Sequence, residues 1–503
     1  MPAALARLSE SPAGRRWSGA ALLAMVTLLA LGLRLRGLWD AELDIDEGAT
    51  WYFAGLTLAD QWGEIGAQET NPPLFYTLAH LVRALGATAE QERLLSVLAG
   101  TACVPLGYLL ARRMAGRFAG FAAALLIALS AVQIETSQYA RTYAALAVAA
   151  LAALLAVQRL LAGGGMPARA GFVAAALAAL YLHNTAVLLV TACNLLVFLA
   201  WLADPARARG FLLRWIGINA AVLVGYAPWI AVVTDQSLHT LAHFWLAPPT
   251  LAAFRYEVMN TFALRYLSWG EPYADWFFLV LLAAGIAGAW RTRFAPALAV
   301  AVLAGVPLAS FAISQWRPIM NGKTLLWLMP VGLVCVGAGC ASLGRLRWPA
   351  LALAAGLEAA AVAHAPEPFR VDWPALAARI AAQQRDGAAL VVGPEIVAFM
   401  LDHYGLHHGL PAGAVPTFTW GRHAAWFPQA AAPELPPERA RAVLGGFAHV
   451  WVVTNGALGH DPAALRAQLD CAFTVGEQAP PGGHLAVLRL DRRPAPACDQ
   501  GGL

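Results

Sequence analysis

Asp44-Ile45-Asp46-Glu47 puts three carboxylates into four residues just past the first long apolar run of the chain. Ionisable groups beside such a run are costly unless water, partners or a cavity compensates them, which makes a functional site the first hypothesis. A carboxylate there is suited to taking a proton from an incoming nucleophile. A structural reading competes, because acids at the N-terminus of an interfacial helix cap exposed amides and suit the helix dipole. The second group is Gln138-Tyr139-Ala140-Arg141-Thr142-Tyr143, in the hairpin between two apolar runs. Arg141 is the one basic residue of that turn, and a guanidinium offers paired donors to a phosphate. A snorkelling arginine between two belt tyrosines is the alternative. Third, Arg317 and Lys323 bracket Pro318-Ile319-Met320-Asn321-Gly322 ahead of a late apolar run, where a lipid phosphate or a plain headgroup would meet them. His183, followed by Asn184 and Thr185, makes a polar spot inside an apolar run and reads either as a ligand contact or as a packed histidine.

The elements that must position these groups are set by composition. Of the 503 residues, 59% are hydrophobic and 13% charged, with a mean hydropathy of +0.58, whereas about a quarter of residues are charged in soluble proteins. Several apolar runs reach the length of about 20 residues that a helix needs to cross hydrocarbon. Spans are expected near 17–38, 93–111, 118–136, 141–160, 169–184, 186–203, 213–233, 273–290, 295–315, 324–343 and 348–364. With a cytoplasmic N-terminus, every inner loop then carries arginine: Arg112, Arg113 and Arg117; Arg159 and Arg169; Arg207, Arg209 and Arg214; Arg291 and Arg293; Arg345 and Arg347. This is the positive-inside bias, and it accounts for the net charge of +4 without a nucleic-acid partner. Asp44, Asp46, Glu47, Glu64, Glu69, Glu135, Asp235, Glu257, Glu271 and the tail after Pro366 face outside. The first run follows Arg7, Arg15 and Arg16 as a secretory signal would, yet it is longer than a signal core and lacks an Ala-x-Ala-like site before Asp40. It reads as a retained span.

Two outer segments exceed simple turns. Residues 39–91 alternate apolar and polar groups in a way that fits interfacial helices, the last begun by Pro72 and Pro73. The segment from Thr234 to Glu271 carries an aromatic belt that includes Phe244, Trp245, Phe254, Tyr256, Tyr266 and Trp269. The expected domains are therefore 1–365, in the membrane, and 366–503, a small α/β domain. In the latter, helices are expected at 372–385, 438–444 and 462–469 and strands at 388–392, 449–454 and 485–490. The stretch 405–436 gives no assignable pattern. Cys103, Cys193, Cys335 and Cys340 lie in apolar runs without metal-ligand spacing and read as small hydrophobes. Cys471 and Cys498 lie in the polar tail, where a disulfide is open if the tail faces an oxidising compartment.

The acidic pair, then Asn71-Pro72-Pro73-Leu74-Phe75-Tyr76, then Ser137 to Tyr143 with its Ala-Arg-x-Tyr, then Lys323 to Pro330 follow one another in order. In this the chain resembles the bacterial membrane glycosyltransferases of the GT-C fold related to protein O-mannosyltransferases (glycosyltransferase family 39) and the aminoarabinose transferase of lipid A. The resemblance implies an α-helical polytopic protein of the inner (plasma) membrane, with about 11 transmembrane helices, interfacial helices and an extracytoplasmic α/β tail. It implies an inverting glycosyltransferase that moves a sugar from a polyprenyl-phosphate donor to a lipid, glycan or protein hydroxyl on the extracytoplasmic face. Asp46 would be the general base and Glu47 a second carboxylate. Arg141, Lys323 and Arg317 would bind the donor phosphate, and Asn71, Gln138, Tyr139, Tyr143 and His183 would line the substrate site. The family usually has His at the position of Asn71, an acid at Tyr139 and Arg-Tyr at Lys323-Thr324. No cofactor is implied beyond the lipid donor; a divalent ion beside Asp46 stays open, since hard cations favour oxygen ligands and bridge phosphates. The rival reading, a transporter or flippase of lipid-linked sugars, expects related halves and binding groups near mid-bilayer, whereas the polar groups here gather in outer segments. A non-catalytic assembly or sensor protein working through the tail is the third option.

Overall fold

In lipid every backbone N–H and C=O must be paired within its own segment, so long apolar runs fold as helices. The computed structural model describes residues 12–40, 42–69, 71–203, 209–239, 247–262, 273–365, 371–383, 387–406, 415–420, 433–455, 462–478 and 485–494. Arg7, Arg207, Phe244, Trp245, Tyr266, Trp269, Glu271, Pro366 and Cys498 lie outside the described residues. Among the described residues five helices are long and apolar enough to cross a membrane: Glu90–Leu129, Tyr143–Leu161, Phe211–Leu238, Phe294–Ser314 and Gly344–His364. Shorter apolar helices are Gly19–Leu35, Met166–Leu182, Ala186–Leu202, Tyr273–Gly288 and Leu328–Ser342. The chain is a polytopic helical membrane protein with a small C-terminal sheet.

The Arg93–Leu129 helix is not one rod. Ala115 (φ −140°, ψ 19°) and Gly116 (φ 88°, ψ −177°) break it, the second in a region that glycine enters without steric cost. Tyr108 and Phe121 meet across the break with ring centroids 4.9 Å apart, so the limbs form an antiparallel hairpin with Arg112, Arg113 and Arg117 at its bend. The Leu328–Ser342 helix, buried from Leu328 through Cys340, is the centre of the apolar core. It packs against the Tyr273–Gly288 helix backbone to backbone: a Cβ on Gly339 would collide with the Leu281 carbonyl, and one on Gly285 with the Cys335 carbonyl. Cys103, Cys193, Cys335 and Cys340 are buried and free, as small hydrophobes should be.

At the end of the first helix Arg34 is wholly buried. Its guanidinium donates to the carbonyls of Ala30 (3.1 Å), Ile127 (3.1 Å) and Ala128 (3.4 Å) and to Ser137 Oγ (3.1 Å). Gln138 Nε2 donates to the carbonyls of Arg34 and Arg36 at 3.1 and 2.6 Å, and Arg93 Nη1 to that of Leu38 at 2.9 Å. Between the first helix and the hairpin lie the Ile45–Gly55, Leu58–Gln68 and Leu74–Ala84 helices, in the segment expected to hold interfacial helices.

The chain divides into two compact units, one of residues 1–38 and 54–366, the other of 39–53 and 367–503. The second unit is built on five strands: β1 (Ala388–Gly393), β2 (Thr417–Thr419), β3 (His449–Asn455), β4 (Phe473–Gln478) and β5 (Leu485–Arg492). Their order is β2-β1-β3-β5-β4, with β1 parallel to β2 and β3, and β5 antiparallel to β3 and β4. Every residue of β1 is buried, hence its unbroken apolar run. The expected strands at 388–392, 449–454 and 485–490 are β1, β3 and β5; β2 falls in the stretch without a pattern, and β4 is disguised by polar residues around Gly476. Cys471 is disulfide-bonded.

Gly339→Ala should lower the thermal midpoint of the detergent-solubilised protein by at least the roughly 1–3 kcal/mol typical of an overpacked core. Gly217→Ala, where an added Cβ meets nothing within 4 Å, should leave it unchanged. Differential scanning fluorimetry on both variants checks this.

Candidate active site

In the first unit the loop after the Leu58–Gln68 helix is pinned from a distant helix. Gln236 Nε2 donates to the carbonyls of Ile65 (3.1 Å), Gly66 (3.1 Å) and Glu69 (2.6 Å) at the C-terminal end of the Leu58–Gln68 helix. Asn184 Nδ2 donates to Gln236 Oε1 at 3.2 Å and thereby orients that amide. Glu69, so placed, accepts from both the backbone N–H (3.0 Å) and Nδ2 (3.1 Å) of Asn71. Its other oxygen lies 3.9 Å from Arg141 Nη1, both side chains being at most one-tenth exposed.

Arg141 Nη1 also donates to Tyr76 Oη at 3.0 Å, with its guanidinium carbon 5.8 Å from the ring centroid. Burial pushes the Tyr76 phenol well above its ordinary value, a rise that the neighbouring Arg141 charge opposes but does not cancel. Tyr76 therefore stays neutral, keeps its proton and hydrogen-bonds Glu69. The Arg141 backbone is fixed as well, its carbonyl accepting from Ser96 Oγ at 3.1 Å.

An aromatic stack continues from the same hairpin. Tyr139 and Tyr143 are nearly parallel, 7° apart, with centroids 6.3 Å apart. Lys323 Nζ sits 5.5 Å from the Tyr139 centroid, and Tyr143 meets His183 at 6.0 Å. His183 Nδ1 accepts from the Thr185 N–H at 3.2 Å, which leaves the ring proton on Nε2 in the neutral form. Lys323 is presented by a tightly capped turn: Asn321 Oδ1 accepts from the Thr324 N–H at 3.0 Å, and Ser314 Oγ accepts from those of Ile319 and Met320 at 3.1 and 2.9 Å.

Six of the expected site residues, Asn71, Arg141, Tyr139, Tyr143, His183 and Lys323, are thus joined through named contacts or, for His183, also through the Arg141 charge. Gln138 spends its amide on the end of the first helix, and Arg317 is exposed. Tyr76 and Glu69 are the additions that sequence reading did not assign. Their signal was present, since Tyr76 closes the Asn71-Pro72-Pro73 motif and Glu69 stands two residues before it.

In the second unit, Asp44 Oδ1 accepts from the Asp46 N–H at 2.9 Å and Glu47 Oε2 accepts from the Asp44 N–H at 3.0 Å. Asp44 thus caps the N2 amide of the Ile45–Gly55 helix, and Glu47 at N3 reaches back to the Asp44 N–H. The cap bonds use the carboxylates of Asp44 and of the buried Glu47; Asp46 contributes its backbone. Among the described residues no three His, Cys, Asp or Glu side chains form a metal-holding group, so the divalent-ion option finds no ligand set.

Glu69→Ala would leave Arg141 buried without its carboxylate. Removal of one partner of a buried ion pair costs about 3–5 kcal/mol, so the apparent melting temperature in detergent should fall clearly, and fall less for Glu69→Gln, which keeps an acceptor for Asn71.

No protein-family model matches the sequence, and no curated protein matches it. Solved structures do match. ArnT from Cupriavidus metallidurans in the apo state superposes with a TM-score of 0.59 at 15% identity, over 94% of this chain and 98% of that one. The same protein bound to undecaprenyl phosphate gives 0.54 at 14% identity, over 95% and 98%. The archaeal oligosaccharyltransferase AglB from Archaeoglobus fulgidus, in complex with an inhibitory peptide and a dolichol-phosphate, gives 0.51 at 12% identity, over 94% and 74%. At such identities the likeness is one of fold, and the fold of this chain is the GT-C fold of membrane glycosyltransferases.

Proposed function

We propose that this chain is an inverting glycosyltransferase that moves a sugar from a polyprenyl-phosphate donor to an acceptor hydroxyl on the extracytoplasmic face of the membrane. The observation that carries the reading is Arg141, a buried guanidinium held by Tyr76 and Glu69. Its hairpin also bears Tyr139, over which Lys323 lies. Two cations of this kind suit a phosphate that gains charge as its bond to the sugar breaks. The undecaprenyl phosphate and dolichol-phosphate bound to the structural neighbours support a lipid-phosphate carrier.

In the proposed reaction Asp46 takes the proton of the acceptor hydroxyl as that oxygen forms its bond to the anomeric carbon. The bond from that carbon to the phosphate oxygen breaks, its electron pair leaving with polyprenyl phosphate, which Arg141 and Lys323 stabilise. Attack opposite the leaving group inverts the anomeric centre. Asp44 and Glu47 lend their carboxylates to the start of the helix that carries Asp46. Glu47 then serves by holding the helix start that presents Asp46. Eleven crossings, an arginine-rich cytoplasmic side and an extracytoplasmic tail complete the reading. The disulfide-bonded state of Cys471 supports the last, since such bonds persist in oxidising compartments.

Purified protein in lipid, given a panel of polyprenyl-phosphate sugars with candidate acceptors, should release polyprenyl phosphate. Asp46→Asn should lower kcat by about 10²–10⁴, the usual worth of a general base. Arg141→Lys, which keeps the charge but loses the fork, should raise the donor KM. Undiminished turnover by Asp46→Asn would defeat the assignment of the base, and passage of donor across the bilayer without release of polyprenyl phosphate would favour a flippase.

A further inference from the structure

The stretch that carries Asp46 folds within the second unit, with residues more than 300 positions away in the chain. Leu43, immediately before the helix cap, has both its backbone groups taken by side chains of that unit. Its N–H donates to Tyr404 Oη at 2.8 Å, and its carbonyl accepts from Trp373 Nε1 at 3.0 Å. The helix itself rests on the Ile396–His403 helix: Tyr52 meets Phe399 edge-on with centroids 5.5 Å apart, and Trp51 meets His403 at 5.7 Å. Gly48, two residues beyond Asp46, lies so close to Met400 that an added Cβ would collide with the sulfur. Backbone, ring and sulfur contacts thus fix the helix start from three directions.

We propose that the α/β unit positions the catalytic carboxylate, with Tyr404, Trp373 and Met400 as positioning residues that set where the Asp46 helix begins. This rests on the reading of Asp46 as the base. A residue held at both its N–H and its C=O, as Leu43 is, has little freedom to translate, and misplacement of a reacting group by about 1 Å can cost a hundredfold in rate. The tail is therefore a working part of the proposed reaction centre.

The test uses the full chain in lipid nanodiscs and the polyprenyl-phosphate sugar that gives the best turnover in the panel above. Tyr404→Phe removes one hydroxyl and should lower kcat about tenfold while donor KM stays within about twofold. Hydrogen exchange measured by mass spectrometry should quicken in residues 42–52 and remain unchanged in β3, which shows that the sheet is intact. Gly48→Ala should also lower kcat, and Met400→Ala added to it should recover much of the loss by making room for the new methyl group. Wild-type kcat in a Tyr404→Phe protein whose residues 42–52 exchange faster would overturn the positioning role and leave the base assignment standing. Turnover that survives Asp46→Asn would remove the base assignment, and this inference with it. The exchange measurement needs no turnover and separates the two failures.

Discussion

A guanidinium sealed among apolar helices has no water to turn to, so each of its donors must find an acceptor or the charge becomes very costly. Arg34 finds them in the last carbonyls of the hairpin's second limb and in Ser137, where a helix C-terminus offers unpaired oxygens and a negative dipole end. Much of the outer architecture depends on that meeting. Gly100 must lack a side chain, because a Cβ there would collide with Ser137 Oγ, the acceptor of the Arg34 Nε bond. The short Ala131–Ser137 helix is held at its far end by Arg34 and at its start by Glu358, whose carboxylate accepts from the Ala131 N–H. Beyond that helix the chain turns directly into Gln138, Tyr139 and Arg141. The hairpin that presents the phosphate-binding candidates is thus set by two buried ionisable side chains, neither of which belongs to the site.

The site manages its own charges differently. Arg141 is matched by a carboxylate and a neutral phenol, and Lys323 lies over the face of Tyr139, whose quadrupole attracts a cation. Where the resembling family has an acid, this chain has an aromatic ring. The exchange puts a ring without formal charge beside the cation.

The helices, the arginine-bearing turns, strands β1, β3 and β5 and the family resemblance were legible because each is written locally, in hydropathy, period or short motif. The hairpin limbs, for instance, show in the sequence because three arginines and a glycine interrupt an apolar run. Glu69, Gln236, Arg34 and Glu358 were not legible as partners. Each acts on residues far along the chain, Gln236 on a loop 167 to 171 positions earlier, and no local pattern encodes such pairings. The assignment of 39–53 to the second unit was hidden for the same reason: its contacts arise from Trp373, Met400 and Tyr404. Gln138, which reads as a substrate contact from its neighbours in the hairpin, donates its amide to the end of the first helix.

That assignment also has a consequence for biosynthesis. Domains fold as units once their residues are available, and chains grow at about 5–20 residues per second. Residues 39–53 are separated from the rest of their unit by more than 300 positions, so roughly 15 seconds to a minute of synthesis must pass before their partners exist. Through that interval Trp39, Trp51, Tyr52 and Phe53 have not yet met the surface that will receive them. This early segment is therefore among the last to be finished, and the acidic stretch takes its final shape only after the Ile396–His403 helix and Tyr404 have been made.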